Sequence, residues 1–446
     1  MRSPTVSLPS SIAVPFVLAF FAPALLAQSA VRVVAPTPGP GVAFTNVQAA
    51  VNAAANGDIV LVRSGSYPSF SIVAKDVDVV ADSGANVTVA GFAVRNLSAG
   101  SAVVVRGLVA SGGNEAGAQI KNCAGHVTLE DCVLVGADGD GAFTSPNFDP
   151  NGAAGAVVDG SNSVAIVRCQ LFGGHGDDYV PFTALFGAGG DGLFAEGSSV
   201  ALHESACLGG TGGDVNDDDA AWTAGPGGDG ADVDATFLFA SGSSFTGGSG
   251  GIGGEDFDGF TGVYACGNGG DGGHGLNQSA PAVGPADVHL LASVANGGAG
   301  GPRYPGAPCA FGATGQPDQI QLGGVSVLQS NAFEFSVTPV VREGQNTTFV
   351  FGGDADSPAF LLVAGTPSFL WAPTLSGMLL VDPSALVIWP GLLDTYGNLT
   401  YVLPAALALP PLTGTQVRTQ ALFFSALSQN FVFGPASVVT VLDSAL

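Results

Sequence analysis

The sequence predicts an all-β fold in which short strands recur and stack along the chain, followed by a small antiparallel β-sandwich. Three observations support this prediction. Glycine accounts for 68 of the 446 residues and hydrophobic residues for 46%, so turn-forming runs alternate with apolar stretches. Segments with one apolar pattern recur between residues 126 and 297, and a pattern without glycine runs follows after about residue 319. An internal repeat of this kind indicates stacked units that bury their faces against one another.

The charge balance disfavours two classes of partner. Lys and Arg number 11 against 36 Asp and Glu, which gives a formal net charge of −25. Nucleic-acid binding requires cationic side chains that neutralise phosphates, and anionic membrane surfaces attract basic segments. The 28 phenylalanines also argue against a disordered acidic chain, because such chains are poor in aromatic residues.

Residues 1–29 have the features of a signal peptide. Arg2 provides a positive charge, an apolar stretch covers residues 12–27, and small residues follow it. A membrane anchor is the alternative, but the stretch is short and is interrupted by Pro15 and Pro23. We therefore expect an exported protein, secreted or at the cell surface, with no membrane span once the signal peptide is removed.

The first element after the signal peptide is a predicted helix. Apolar residues recur at helical spacing from Val47 to Ala54, and a strand follows over residues 58–67. The segment FTNVQAAVNAAANGDIVLVRSGSY resembles the entrance of pectin-lyase-like right-handed parallel β-helices. In that family a short helix caps the open end of the coil, so the resemblance implies a right-handed parallel β-helix with an N-terminal capping helix. It implies no activity, because this fold hosts many functions.

The repeat extends the β-helix prediction over residues 30–318. The first strand of each repeat places apolar residues inward at alternate positions, as at Val127 and Leu129. The equivalent first apolar positions of the five repeats are Val127, Val164, Val200, Phe237 and Val288. A glycine-rich loop, acidic in most repeats, follows the strands, and coils in register would collect these loops on one edge.

Residues 319–446 form a second predicted domain. They are rich in Phe, Leu, Val and Pro, and turn residues separate their short apolar segments at regular intervals. This spacing is typical of a small antiparallel β-sandwich.

Six cysteines are consistent with an oxidising compartment. Cys132 and Cys169 occupy the same repeat position, so adjacent strands would bring them within reach of a disulfide. Cys266 and Cys309 flank the last repeat and form the second candidate pair. Buried free thiols are the alternative for Cys132 and Cys169.

The most regular polar feature is an acidic cluster after a glycine run. Carboxylates on one edge repel one another unless a cation lies between them, and calcium is a hard ion that takes oxygen ligands. The candidate ligands are Asp177, Asp178, Asp214, Asn216, Asp218, Glu255, Asp256 and Asp258. The Asp-x-Asn-x-Asp opening at Asp214 lacks the glycine and the distant glutamate of a complete calcium loop, so a solvated acidic edge is the alternative.

A catalytic site is a further interpretation of the same residues. His175 lies between two glycines and close to Asp177 and Asp178, and carboxylates with a histidine could hydrolyse a glycosidic bond by acid–base chemistry. The resemblance implies an Arg-x-Lys element in such hydrolases, and this element is missing. It implies an Arg or Lys base in β-helix lyases, and Arg168 is the only basic residue between positions 122 and 302.

The sequence thus favours an exported, non-catalytic structural or binding protein, with calcium as a candidate ion and no organic cofactor. By the family resemblance, the expected partner is a polysaccharide or a cell-surface glycan. The alternative is a polysaccharide-active hydrolase or lyase of the β-helix type.

Overall fold

The computed structural model describes ten segments of the chain, and the predicted signal peptide lies almost entirely outside them. The described residues are 28–113, 115–140, 149–178, 186–215, 222–258, 263–280, 288–303, 325–331, 333–405 and 408–446. Within these segments the secondary structure is β apart from the helix α1 (Val47–Ala53) and the short 3₁₀ turns Pro373–Leu375 and Pro383–Ala385.

The strands up to residue 328 are short and follow one another closely. They are β1 (Ser29–Val34), β2 (Asp58–Val62), β3 (Gly65–Tyr67), β4 (Phe70–Val73), β5 (Val77–Ala81), β6 (Val87–Val89), β7 (Phe92–Arg95), β8 (Ala102–Arg106), β9 (Leu108–Ser111), β10 (Ala118–Lys121), β11 (His126–Glu130), β12 (Val133–Val135), β13 (Ala156–Asp159), β14 (Val164–Val167), β15 (Gln170–Phe172), β16 (Leu193–Glu196), β17 (Ser199–His203), β18 (Ala206–Leu208), β19 (Ala231–Asp234), β20 (Phe237–Ser241), β21 (Ser244–Thr246), β22 (Glu255–Asp258), β23 (Val263–Cys266), β24 (Leu276–Ala280), β25 (Val288–Leu291), β26 (Val294–Asn296) and β27 (Val325–Leu328).

These strands build three large parallel sheets. Sheet I contains β1, β2, β5, β8, β11, β14, β17, β20, β25 and β27; sheet II contains β3, β6, β9, β12, β15, β18, β21 and β26; sheet III contains β4, β7, β10, β13, β16, β19 and β24. Each pass of the chain through sheets I, II and III adds one strand to each. The strands β22 and β23 form a separate antiparallel hairpin. The main hydrophobic core fills the space between the three sheets.

The first repeats pair as the sequence predicts, but the fourth does not. Val127 is the Cα partner of Val164, and Val164 is the partner of Val200. Val200 then pairs with Leu238 rather than with Phe237. Leu238 is buried in the main core, whereas the Phe237 ring lies 5.9 Å from the Trp371 ring of the C-terminal region. Phe237 therefore lies on the outward face of sheet I. Because the C-terminal region covers this face too, the position is apolar, and the sequence alone does not distinguish it from an inward position.

The helix α1 covers one end of the main core. The Asn46 side chain caps it by accepting a hydrogen bond from the Ala49 N–H at 3.1 Å. Its buried residues, Val47, Ala50 and Val51, belong to the same hydrophobic cluster as the strands beneath them.

The C-terminal strands are longer and mostly antiparallel. They are β28 (Glu334–Val337), β29 (Val340–Arg342), β30 (Asn346–Gly352), β31 (Pro358–Ala364), β32 (Pro367–Ala372), β33 (Gly377–Val381), β34 (Val387–Leu392), β35 (Asn398–Pro404), β36 (Thr413–Ser425) and β37 (Asn430–Leu442).

The predicted fold class, a right-handed parallel β-helix followed by a small antiparallel β-sandwich, is wrong. The described residues form large parallel sheets, and sheet I continues into the C-terminal strands as one mixed sheet of 15 strands. The junction is the antiparallel pairing of β1 with β36, where Ser29 lies opposite Gly414. Alternating apolar residues identify a strand and its buried face, but they do not show which edges pair across such a distance in sequence.

The C-terminal strands also cover the outward face of sheet I. Ala165, Ala201 and Phe239 on that face form one buried cluster with Phe335 of β28. The Phe239 ring lies 5.4 Å from the Trp371 ring. Parallel sheets are generally covered on both faces, and the C-terminal region provides this second cover for sheet I.

Candidate functional site

The predicted acidic loops belong to a packed region between sheets II and III, which we call the glycine array. It comprises residues 136–140, 149–155, 173–178, 186–192, 209–215, 222–230, 247–254, 267–275 and 297–303. These segments are neither helix nor strand, apart from an isolated bridge between Asp140 and Asp149. A segment that leaves sheet II alternates with a segment that returns to sheet III.

Backbone hydrogen bonds join the segments of the glycine array in two directions. The Gly190 N–H donates to the Gly174 carbonyl and the Gly210 N–H to the Gly190 carbonyl, both at 2.8 Å, so leaving and returning segments are bonded to each other. The Gly212 N–H donates to the Ser249 carbonyl at 2.9 Å, which joins successive leaving segments. The sequence repeats as Gly-Gly-x, and three residues per turn is the period of a polyproline II helix, which has no internal hydrogen bonds.

Only glycine fits the interior of the array. A Cβ atom on Gly210 would lie 1.9 Å from the Gly174 carbonyl oxygen, and one on Gly228 would lie 2.0 Å from the Gly190 carbonyl oxygen. Both obstacles are backbone atoms, which cannot rotate away as a side chain can. The sequence predicts glycine-rich loops for these runs, and in the structure their carbonyls accept hydrogen bonds from neighbouring segments.

The non-glycine residues of the triplets form a polar rim, and its carboxylates accept hydrogen bonds from the backbone of the next pass. The rim comprises Asp138, His175, Asp178, Asp191, Thr211, Asp214 and Asp229. The bonds join His175 N–H to Asp138 Oδ1 at 2.8 Å, Asp214 N–H to Asp178 Oδ1 at 3.2 Å, and Asp229 N–H to Asp191 Oδ1 at 2.8 Å. Asp178 and Asp214, which the sequence singles out as calcium ligands, therefore accept hydrogen bonds from the backbone of another pass.

The structure describes the side chains of three of the eight predicted calcium ligands. Asp177, Asp178 and Asp214 are described, and the Asp177 carboxylate accepts the Asp178 N–H at 2.9 Å. Asn216 and Asp218 lie outside the described residues. Glu255, Asp256 and Asp258 lie on β22, and only their backbone is described. Across the described segments, no three Asp, Glu, His or Cys side chains converge as a metal site would require. Calcium binding stays a prediction.

Carboxyl groups with raised pKa values lie where the returning segments meet sheet III. Burial raises the pKa of the Asp191 carboxyl to about 7, and the nearby charges of Asp229 and Asp232 add to the effect. Burial, with Asp229 and Asp234 nearby, raises the pKa of Asp232 to about 6. Protonation of a carboxyl is therefore favourable here close to neutral pH, a property that the sequence pattern alone does not reveal.

The candidate catalytic residues have structural partners. The His175 Nδ1 lies 2.6 Å from the Thr211 hydroxyl oxygen and also accepts the Thr211 N–H at 3.2 Å. The Asp178 carboxylate accepts the Asp214 N–H, as described above. The structure thus places His175, Asp177 and Asp178 close together on one segment, with His175 and Asp178 bonded to the next pass.

Arg168, the candidate base, lies in a buried ion network where sheet I meets β37. Its guanidinium pairs with the carboxylates of Glu130 and Asp131, the latter at 2.8 Å. Arg106 pairs with the same two residues at 3.2 and 2.7 Å, and Glu130 is completely buried. Burial alone would lower the pKa of Arg168, but the two carboxylates outweigh it and raise the pKa.

The sequence did not reveal this network, because its members come from separate passes and from the C-terminal strand. The Glu130 carboxylate also accepts hydrogen bonds from the Ser437 hydroxyl and from the Val438 N–H, the latter at 3.1 Å. Arg168 holds the C-terminal region in place, since its guanidinium also donates to the Phe335 carbonyl at 3.3 Å.

Cys132 and Cys169 are buried free thiols in the structure. The Cys132 N–H donates to Cys169 Sγ at 3.4 Å, the Cys169 N–H to Ser205 Oγ at 3.1 Å, and the Ser205 N–H to Ser243 Oγ at 3.2 Å. Serine thus replaces cysteine in the later passes of the same ladder. The side chain of Cys266 is not described, and Cys309 lies outside the described residues.

No family model matches this chain, and no curated protein matches it. The resemblance of residues 44–67 to pectin-lyase-like proteins therefore stays a prediction. Among the described residues, no helix combines the length and the apolar character that a membrane crossing needs.

Proposed function

We propose that this chain is an exported, non-catalytic structural or binding protein that works at a cell surface or outside the cell. The observation that supports the proposal is that polar rim side chains are hydrogen-bonded to other parts of the same chain. His175 and Asp178 contact the next pass of the chain, and Arg168 is held in buried ion pairs. Side chains in these roles stabilise a rigid body, whereas a hydrolase needs them free to bind substrate and transfer protons.

The partner class we propose is a polysaccharide or a cell-surface glycan. Its basis is the resemblance at the start of the chain together with a rigid, acidic surface. An extended carbohydrate can contact several passes at once, because equivalent rim residues recur on successive passes. The low content of Lys and Arg leaves uncharged glycans as the better candidates among such polymers.

A binding and turnover screen tests the proposal. Purified protein is incubated with neutral and acidic polysaccharides, with calcium and with EDTA, and both retention and released reducing ends are measured. We expect retention on at least one polysaccharide without product release. Product release that Asp178→Asn abolishes, while the control Asp356→Asn on an exposed C-terminal turn preserves it, would establish a hydrolase or lyase instead.

A further inference from the structure

The outward face of sheet III is a parallel-sheet face that carries charged side chains. Arg95 and Glu196 on this face are exposed, and Lys121 and Asp159 are half-buried. Parallel sheets are generally covered on both faces, as the C-terminal region covers sheet I. The sheet III face is therefore a candidate for cover by another protein, and the arrangement of its charges is the feature that decides which one.

One row of side chains on this face is ordered by charge. The register of the strands places Arg95 beside Lys121, Lys121 beside Asp159, Asp159 beside Glu196, and Glu196 beside Asp234. Neighbouring strands lie about 4.8 Å apart, so the row runs about 19 Å from a basic end to an acidic end. Two of the chain's 11 basic residues lie at the basic end.

A second row on the same face has a small side chain near one end and a large aromatic one near the other. The register places Ala93 beside Gln119, Gln119 beside Val157, and Val157 beside Phe194. At the Ala93 end the surface forms a cleft of about 490 Å³, whose lining includes Ala93, Arg95 and Gln119. At the other end stands the half-buried ring of Phe194. The face thus has a depression at its basic end and a large apolar side chain at its acidic end.

We propose that sheet III is the interface of a symmetric homodimer, occupied by a second copy of this chain. A two-fold axis parallel to the strands, between β10 and β13, sets the face against itself with the order of the strands reversed. Arg95 then lies opposite Glu196 of the partner subunit, and Lys121 opposite Asp159 of the partner subunit. Each pair occurs twice, because the contact is isologous.

The same axis places a large side chain of one copy at the cleft of the other. Phe194 lies opposite Ala93 of the partner subunit, at the cleft. A single operation therefore pairs the four charges from Arg95 to Glu196 and places the Phe194 ring at the cleft. Neither match occurs if the two copies pack with their strands in the same order, since like charges would then meet.

Charge exchange between Arg95 and Glu196 tests the dimer. In one chain these residues lie three strands apart, about 14 Å, so they reach each other only across the interface. We expect the wild type to be a dimer in sedimentation velocity. Arg95→Glu and Glu196→Arg alone should each weaken the dimer at least tenfold, which corresponds to about 1.4 kcal/mol.

An equal mixture of the two variants separates the proposal from a folding defect. Each copy then supplies the charge that the other lacks, so heterodimers should form with near wild-type affinity. The control Asp356→Lys changes the net charge in the C-terminal region and should leave the dimer unchanged. A wild type that stays monomeric at about 100 μM, a concentration that fills any specific dimer of micromolar affinity, overturns the proposal. Variants that dimerise normally, or a mixture that does not recover, overturn it as well.

Discussion

The glycine array and the contact between sheet I and the C-terminal strands are held together by opposite means. The array is bonded backbone to backbone, and a Cβ atom on Gly210 would meet the Gly174 carbonyl. The contact between sheet I and β37 depends on side chains, with buried rings and the ion pairs of Glu130. Added side-chain volume should therefore reduce the stability of the array, and the loss of a charge should reduce the stability of the contact.

The largest expected effect is the removal of the charge on Glu130. Glu130→Gln leaves the guanidinium groups of Arg106 and Arg168 close together, with Asp131 as their remaining partner in the network. Breaking a buried ion pair in this way costs about 3–5 kcal/mol. We expect a loss of that size in the free energy of unfolding, measured by urea denaturation.

An exposed carboxylate provides the matched control. Glu115 is exposed and accepts a hydrogen bond from the Gln119 amide at 2.5 Å. The change Glu115→Gln should cost less than about 1 kcal/mol, as is typical of surface polar contacts. Equal losses in the two variants would contradict the role of the buried network in attaching the C-terminal region.

The next largest effect is the addition of one methyl group to the array. Gly210→Ala forces the backbone of two passes apart, and overpacking of this kind costs about 1–3 kcal/mol. Hydrogen exchange should show the loss in the array and not in the C-terminal strands. The control is Gly39→Ala, because a Cβ atom there would lie 3.9 Å from the nearest side chain. Uniform destabilisation of both regions would show that the array is not a separate source of stability.

The same two regions show how far the sequence predicts this molecule. The spacing of Val127, Val164 and Val200 predicts the in-register strands, because inward positions must be apolar. The register at Phe237 and the pairing of the C-terminal strands with sheet I could not be predicted in this way, since both depend on residues distant in sequence. The acidic residues of the rim are visible in the sequence, but their role depends on which N–H groups the next pass presents.

The next expected effect is a dependence of stability on pH, to which one buried carboxyl in each region contributes. Burial is the main cause that raises the carboxyl pKa of Asp191 in the array and of Glu204 beside the C-terminal strand β28, each to about 7. A carboxyl whose pKa is about 4 in the unfolded chain then binds more protons in the folded state between these pH values. Its stabilising contribution is complete below about pH 4 and is lost as the pH rises through about 7.

The variants Asp191→Asn and Glu204→Gln isolate this effect, because each keeps an oxygen acceptor for its N–H partner. We expect each variant to be more stable than the wild type at pH 8, by about 1 kcal/mol or more, with the difference vanishing near pH 4. Urea denaturation over this range measures it. A difference that stays constant with pH would show that ionisation is not its cause.

The smallest expected effect is that of Cys169→Ser in the thiol ladder at the corner between sheets I and II. Ser205 fills the position of Cys169 in the next pass, so Cys169→Ser should preserve the acceptor for the Cys132 N–H and cost less than about 1 kcal/mol. Cys169→Val removes that acceptor from a buried N–H group and should cost about 1–3 kcal/mol. Peptide mapping without reductant provides the companion measurement. A disulfide between Cys132 and Cys169 would make the two substitutions equally costly and the wild type sensitive to reductant, whereas a thiol ladder predicts unequal costs and no effect of reductant.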